Sequence, residues 1–175
     1  EHDRWPRTGS AEDRAGGMAR NFPVPKDMND TEFRFLIEQA ILPLGEAFHP
    51  DAIVIQSGCD ALADDPQSKL SLSNNAIWEA VQRLSDLAPR VLVLGGGGYN
   101  PWAVARCWTG IWAHLNGIDP RSVLLRREAE DILRGLFWNH RRGRNPPEHW
   151  FVTLADDPLE GEVRPAVRDL ALPLS

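Results

Sequence analysis

The sequence contains few cysteines and no long apolar run. Its two cysteines, Cys59 and Cys107, do not form a Cys-x-x-Cys pair, which argues against a disulfide framework and predicts a reducing, cytoplasmic location. No apolar stretch approaches the ~18 residues that a membrane-spanning helix needs. The opening residues also lack the pattern of a signal peptide. We therefore expect a soluble cytoplasmic protein that does not insert into a membrane.

The chain also lacks an excess of basic residues. Its 19 Lys and Arg against 25 Asp and Glu give a net charge of -6. An acidic chain has no general attraction to nucleic acid or to an anionic membrane surface, so neither partner is expected. The 175 residues are enough for one domain with a hydrophobic core, and the composition does not predict an oligomeric state.

The middle of the chain alternates helical patterns with short β-branched apolar runs, which is typical of parallel strands covered on both faces. This order predicts an α/β fold with a mostly parallel sheet flanked by helices. The predicted elements are a helix from 29 or 30 to 48, a strand at 52–55, a helix at 74–87, a strand at 91–94 and a helix at 101–116.

The two ends of the chain are less regular. Residues 1–28 are predicted to form a long loop, and residues 123–138 one further helix. The polar, proline-containing segment that follows is predicted to be a surface extension. Four tryptophans fall in predicted helices and are expected to lie mostly in the core: Trp78, Trp102, Trp108 and Trp112.

Chemically capable residues follow both predicted strands, where sites form in open α/β sheets. Asp60 comes directly after Gly58-Cys59, and its carboxylate could bind zinc or simply cap the next turn. Cys59 has no basic neighbour in sequence, which favours a buried, inert thiol over a nucleophile. His49 and His114 are not spaced as a pair of metal ligands.

The second strand runs into four glycines, residues 95–98, and then Tyr99. A glycine-rich turn before a helix can cradle phosphate, but this one lacks the spacing of a dinucleotide fingerprint or a P-loop. The alternative is that the glycines allow a ligand or a neighbouring strand to approach closely. Tyr99 could then donate a hydrogen bond to a developing oxyanion.

Together the two loops resemble the histone deacetylase family of the arginase/deacetylase superfamily. Residues 56–62, Gln-Ser-Gly-Cys-Asp-Ala-Leu, resemble its Gln-x-Gly-x-Asp-x-Leu stretch, and residues 94–99 with 104–109 resemble its Gly-Tyr motif and the following helix. The upstream Trp5-Pro6-Arg7-Thr8-Gly9 is similar to its aromatic-Pro-x-Thr-Gly segment. Residues 99–102 and 144–150 look more like the bacterial acetoin utilization branch. The resemblance covers residues 1–117 well and 118–175 more loosely.

The resemblance implies the arginase/deacetylase fold and hydrolysis of an acetylated amine, of the acetyl-lysine or acetylpolyamine type, at one zinc ion. The substrate would be a protein lysine, a polyamine or a small metabolite. Asp60 matches a zinc ligand, and Tyr99 matches the catalytic tyrosine that polarises the acyl carbonyl. Trp5, Gly97 and Gly98 match the substrate channel.

The family's remaining motifs do not occur in this sequence. No Asp-x-His and no His-His is present, and in the family these motifs, with the ligands of a possible monovalent cation, precede the matched region. We therefore expect residues 1–175 to be the C-terminal part of a single deacetylase domain, incomplete at its N-terminal side and inactive alone. The alternative is a noncatalytic Gly-loop binding module or a degenerate paralogue.

Overall fold

A computed structural model describes residues 7–172 of the chain, so Trp5 lies outside the described residues. The helices and strands are α1 (Asp30–Leu36), a π-helical turn (Ile37–Ile41), α2 (Leu42–Phe48), β1 (Ile53–Ser57), α3 (Asn74–Ser85), β2 (Val91–Gly95), α4 (Pro101–Leu115), α5 (Arg127–Gly135), α6 (His149–Val152) and α7 (Pro165–Ala171). Short 3-10 turns occur at Ala15–Gly17, Pro120–Ser122 and Arg141–Gly143. No helix among these residues is long and apolar enough to cross a membrane.

The first predicted helix is confirmed in its bounds, although it is not uniform. Asn29 and Glu32 form a capping box at its start, and His49 ends it in a left-handed conformation. The π-helical turn divides it directly before Pro43. Because Pro43 has no N–H and its ring crowds the carbonyl one turn earlier, the regular bond pattern cannot continue there.

The two strands pair in parallel, with Ile53 opposite Val91 and Ser57 opposite Gly95. This pairing confirms the predicted parallel sheet. Helices α3 and α4 pack on one face, where Ile55 joins the core. On the other face Val54 and Leu92 lie opposite one another and are 63% and 54% exposed. Within the described residues this sheet has two strands, and its second face is uncovered.

The core forms where α3 packs against α4, and it contains buried tryptophan side chains. Trp78 is fully buried and donates its indole N–H to the carbonyl of Cys107 at 2.8 Å. Trp102 is buried in a second, smaller cluster. The prediction was wrong for Trp112, which is 62% exposed, and only partly right for Trp108, which lies over Gly95 at the sheet. Both lie on the side of α4 that α3 does not cover.

The helix predicted at 123–138 is shorter than expected. Only Arg127–Gly135 is helical. Leu124 precedes it in extended conformation, bridges to Thr153 and is 91% exposed. The apolar residues of this segment were therefore not the buried face of one long helix.

The segment after residue 141 was predicted to be a surface extension; much of it is exposed, but the prediction was wrong at four buried positions. Trp150, Phe151, Leu154 and Val167 are buried. The segment returns to the start of α1, where Arg164 pairs with the fully buried Glu32. The sequence did not predict this burial, because the segment contains prolines and lacks apolar periodicity. It packs through individual buried side chains and not through a regular apolar face.

Candidate active site

The loops that follow β1 and β2 cross in direct backbone contact. The N–H of Cys59 donates to the carbonyl of Gly97 at 2.6 Å. A Cβ placed on Gly96 would lie 2.8 Å from the Cα of Gly58, so any side chain there would force the loops apart. The glycines therefore allow the two loops to approach each other closely. The adjacent parallel strands bring both loops to one edge of the sheet.

Asp60 lies on this crossing. A Cβ on Gly97 would lie 2.5 Å from its Oδ2, and a Cβ on Gly58 would lie 2.7 Å from its Oδ1. The carboxylate is partly exposed, and among residues 7–172 no hydrogen-bond donor faces it. The structure therefore gives no support to the capping role and leaves two anionic oxygens available to a ligand.

Tyr99 stands at the end of the glycine run, directly before α4. Its backbone N–H donates to Oδ2 of Asp65 at 2.6 Å, and its residue is 50% exposed. The main chain is thus held while the phenol remains accessible. Asp60 and Gly97 meet at the loop crossing, Gly98 lies against Cys59, and Tyr99 follows Gly98 in the chain; the roles predicted for them stay predictions.

Asp65 is a site residue that the sequence analysis missed. It is buried and also accepts the N–H of Gln67 at 2.8 Å. Burial raises the pKa of the Asp65 carboxyl, and the charge of Asp60 adds to this, although the N–H groups of Gln67 and Tyr99 oppose it. The Asp65-Pro66 pair indicates a turn, but its bond to Tyr99 spans 34 residues and has no local sequence signature.

The first backbone N–H groups of α4 are already bonded within the same segment. Asn100, fully buried, accepts the N–H groups of Trp102 at 3.1 Å and Ala103 at 3.4 Å. Pro101 has no N–H, and Val104 donates to the carbonyl of Asn100. These donors are the ones a phosphate would use, so the geometry argues against the phosphate-cradle interpretation.

The two cysteines meet beneath the site. Both are buried and free, and their side chains interact with each other. That contact, together with burial, raises the pKa of Cys107 well above its ordinary value. A thiol held protonated in this way is a poor nucleophile, so Cys107 is not a candidate nucleophile, and the burial of Cys59 agrees with the inert role predicted for it.

The described residues do not form a complete metal site by themselves. Among residues 7–172 there is no group of three or more His, Cys, Asp or Glu side chains that could hold a metal ion. A catalytic zinc takes about three protein ligands and keeps one open position. Asp60 fits the role of one ligand, and the described part of the chain does not complete a site.

Comparison with known proteins shows which family has this arrangement. The profile of the histone deacetylase domain matches residues 1–115. Histone deacetylase 6 of Arabidopsis thaliana is 33% identical over 126 residues, which cover 70% of this chain and 27% of that protein. The acetoin utilization protein AcuC of Bacillus subtilis is 32% identical over 127 residues, which cover 66% of this chain and 33% of that protein.

A solved structure extends the match to nearly the whole chain. The crystal structure of an HDAC homolog complexed with SAHA superposes with a TM-score of 0.86 at 33% identity, covering 97% of this chain and 46% of that one. The predicted arginase/deacetylase fold is thereby confirmed, over part of its extent. The chain spans about a third or less of these two curated relatives. A plant deacetylase and AcuC match about equally well, so the acetoin utilization branch stays a prediction. The chain belongs to the histone deacetylase family.

Proposed function

We propose that this chain supplies part of the active site of a zinc-dependent deacetylase. In this site Asp60 is one metal ligand and Tyr99 is a catalytic residue, and the other ligands come from residues outside the chain. The observation that carries the proposal is the loop crossing at the ends of β1 and β2. It sets an unpartnered carboxylate against Gly97, two residues before an accessible tyrosine.

The proposed chemistry requires stabilisation of the negative charge that develops on the acyl oxygen. A bound zinc ion would activate the water that attacks the acyl carbon. The Tyr99 phenol donates a hydrogen bond to the acyl oxygen as it gains negative charge. Gly97 and Gly98 are proposed to lie at the floor of a narrow substrate channel, in which Trp5 is a further proposed wall.

We propose an acetylated amine as the substrate. The family supports an acetylated substrate in general, and the SAHA complex of the HDAC homolog favours a lysine-like one. A monovalent cation, if present, would be bound by residues outside this chain. A cytoplasmic location remains a proposal and agrees with two free, buried thiols.

The experiment uses a longer protein that contains residues 1–175 together with the N-terminal part that this proposal requires. We expect about one zinc per chain, with Asp-x-His and His-His upstream of Glu1. Tyr99→Phe should lower kcat on an acetyl-lysine peptide by about 100-fold or more with zinc retained, whereas Asp60→Asn should lower zinc content. Phe48→Leu, an exposed aromatic position at the opposite end of β1, is the matched control. Near-full activity of Tyr99→Phe would refute the role of Tyr99.

The rival function, a noncatalytic Gly-loop module that binds nucleotides, makes a different prediction. It requires measurable binding of ATP or NAD to this chain in a calorimetric titration. We expect no binding, because Asn100 and Pro101 leave the first turn of α4 without free donors and Asp65 adds a carboxylate to the same loop.

A further inference from the structure

The turn that joins Asp60 to Asp65 is short and internally bonded. Leu62 donates its N–H to the carbonyl of Cys59 at 3.2 Å, and Asp65 donates its N–H to the carbonyl of Leu62 at 2.9 Å. One end of this turn carries the proposed metal ligand, and the other holds the backbone of Tyr99. A displacement of the turn would therefore move both groups.

The turn is held from outside by the C-terminal segment. Arg142 donates through one guanidinium nitrogen to the carbonyl of Ala63 at 3.0 Å and to that of Asp65 at 3.5 Å. Trp150 donates its indole N–H to the carboxylate of Asp64 at 2.8 Å. These contacts reach three consecutive residues of the turn from nearly eighty or more positions away in the sequence.

Trp150 is itself fixed in place. It is buried, and its ring stacks on Trp102 with centroids 5.3 Å apart. Trp102 is the second residue of α4 and donates its indole N–H to the carbonyl of Leu133 at 2.7 Å. The same helix begins immediately after Tyr99-Asn100, so the aromatic cluster supports the turn and the tyrosine together.

We propose that Arg142 and Trp150 are positioning residues for Tyr99, acting through the 63–65 turn and the Asp65 carboxylate. The proposal rests on the proposed function for its effect on turnover. Arg142 and Trp150 contact the turn itself, through Ala63, Asp64 and Asp65. Substitution of Arg142 or Trp150 should therefore slow the formation of the oxyanion more than it weakens substrate binding.

The kinetic test uses Arg142→Gln and Trp150→Phe in the longer protein, with Arg144→Gln as the matched control on the same loop. Trp150→Phe keeps one aromatic ring and removes the indole N–H together with the five-membered part of the indole. With active sites counted by titration with SAHA, we expect kcat to fall by about 3- to 30-fold, with KM and zinc content nearly unchanged. A residue that only aids folding would lower the number of active sites and leave kcat per site intact.

A double-mutant cycle tests the route of action. If Arg142 acts through Tyr99, Arg142→Gln should lower kcat in the wild-type background and have little further effect on the residual activity of Tyr99→Phe. Equal effects in both backgrounds would overturn the proposal, as would a kcat for Arg142→Gln that equals that of Arg144→Gln. Neither result would contradict the deacetylase assignment itself.

A spectroscopic test does not depend on activity. Tyr99 is the one tyrosine of residues 1–175, so 3-fluorotyrosine labelling of the longer protein gives one fluorine resonance from this part of it. We expect this resonance to shift or broaden in Arg142→Gln and Trp150→Phe and to stay in place in Arg144→Gln. In the longer protein the same resonance is assigned by its loss in Tyr99→Phe. An unmoved resonance in both variants would refute the positioning role even if the longer protein had no deacetylase activity.

Discussion

The carboxylate of Asp60 lies directly against the backbone of Gly97, so that a single methyl group on Gly97 would come within 2.5 Å of Oδ2. Asp60 and Gly97 belong to different loops, and the carboxylate of Asp60 occupies the space that a side chain at position 97 would need. The position of the proposed metal ligand depends on the absence of a side chain across from it.

The substitution Gly97→Ala should therefore displace Asp60. We expect the zinc affinity of the longer protein to fall by about 10-fold or more, the range in which changes to residues that orient metal ligands usually fall. Zinc content after dialysis against a competing chelator measures this. Gly135→Ala is the control, because a Cβ there would meet no atom within 4 Å. Unchanged zinc retention in Gly97→Ala would contradict the contact.

The substitution Asp65→Asn should loosen the Tyr99 loop. Both carboxylate oxygens of Asp65 accept backbone N–H groups, so an amide would turn an NH2 group toward one of these donors. We expect a loss of about 1–3 kcal/mol of unfolding free energy, typical of an unsatisfied buried group. Urea unfolding measures this, with the exposed Asp157→Asn as control. Equal midpoints for the two variants would show that Asp65 does not hold the loop.

The ion pair between Glu32 and Arg164 should make stability depend on pH. Burial alone would raise the pKa of Glu32, but hydrogen bonds from Arg164 and Asn29 outweigh it and the pKa is lowered from its ordinary value of 4.5. A lowered pKa in the folded state means that the stabilisation is present above about pH 4.5 and is lost as the pH falls through the lower folded value.

Glu32→Gln should accordingly cost about 1–3 kcal/mol of unfolding free energy at pH 7 and progressively less below pH 4.5. Urea unfolding across pH 3–7 would follow the difference from wild type. The exposed Glu162→Gln should show no such difference at any pH. A Glu32→Gln effect that stays constant down to pH 3 would mean that the carboxylate charge is not responsible.

The uncovered face of the sheet should make the isolated chain associate. Val54, Leu92 and Leu94 are exposed there, and exposed apolar strands without partners promote aggregation. Replacing all three by Thr should reduce concentration-dependent association in analytical ultracentrifugation. Phe48→Ser, which removes exposed apolar surface elsewhere, should not. A sharp, reversible melt of the monomeric wild-type chain would contradict this prediction.

Those elements whose sequence carries a local pattern were predictable. The strands at 53–57 and 91–95 are continuous apolar runs, and α1 begins at a capping box. The contact of Asp60 with Gly97 was not predicted, because nothing near either residue in sequence identifies its partner; the sequence indicated only that both residues follow strands of one sheet. The roles of Asp60 and Tyr99 in catalysis and of Trp5 in the channel stay predictions.

Features that depend on long-range contacts were not predictable. The bond from Tyr99 to Asp65 and the burial of Trp150 both join segments far apart in sequence. Leu124 and Ile132 suggested a helical apolar face, yet both are exposed. Periodicity reports which residues could share a face, and it does not report whether another element is present to cover that face.

The return of the C-terminal segment to the start of α1 has a genetic consequence. Asp156 accepts the N–H of Asn74, Leu159 donates its N–H to the buried Asp30, and Arg164 neutralises Glu32. A nonsense or frameshift mutation after the codon for Thr153 would spare both loops of the site and still leave two buried carboxylates without these partners. Alleles truncated this late should therefore behave as loss-of-function alleles through low protein abundance, although every proposed catalytic residue would still be encoded.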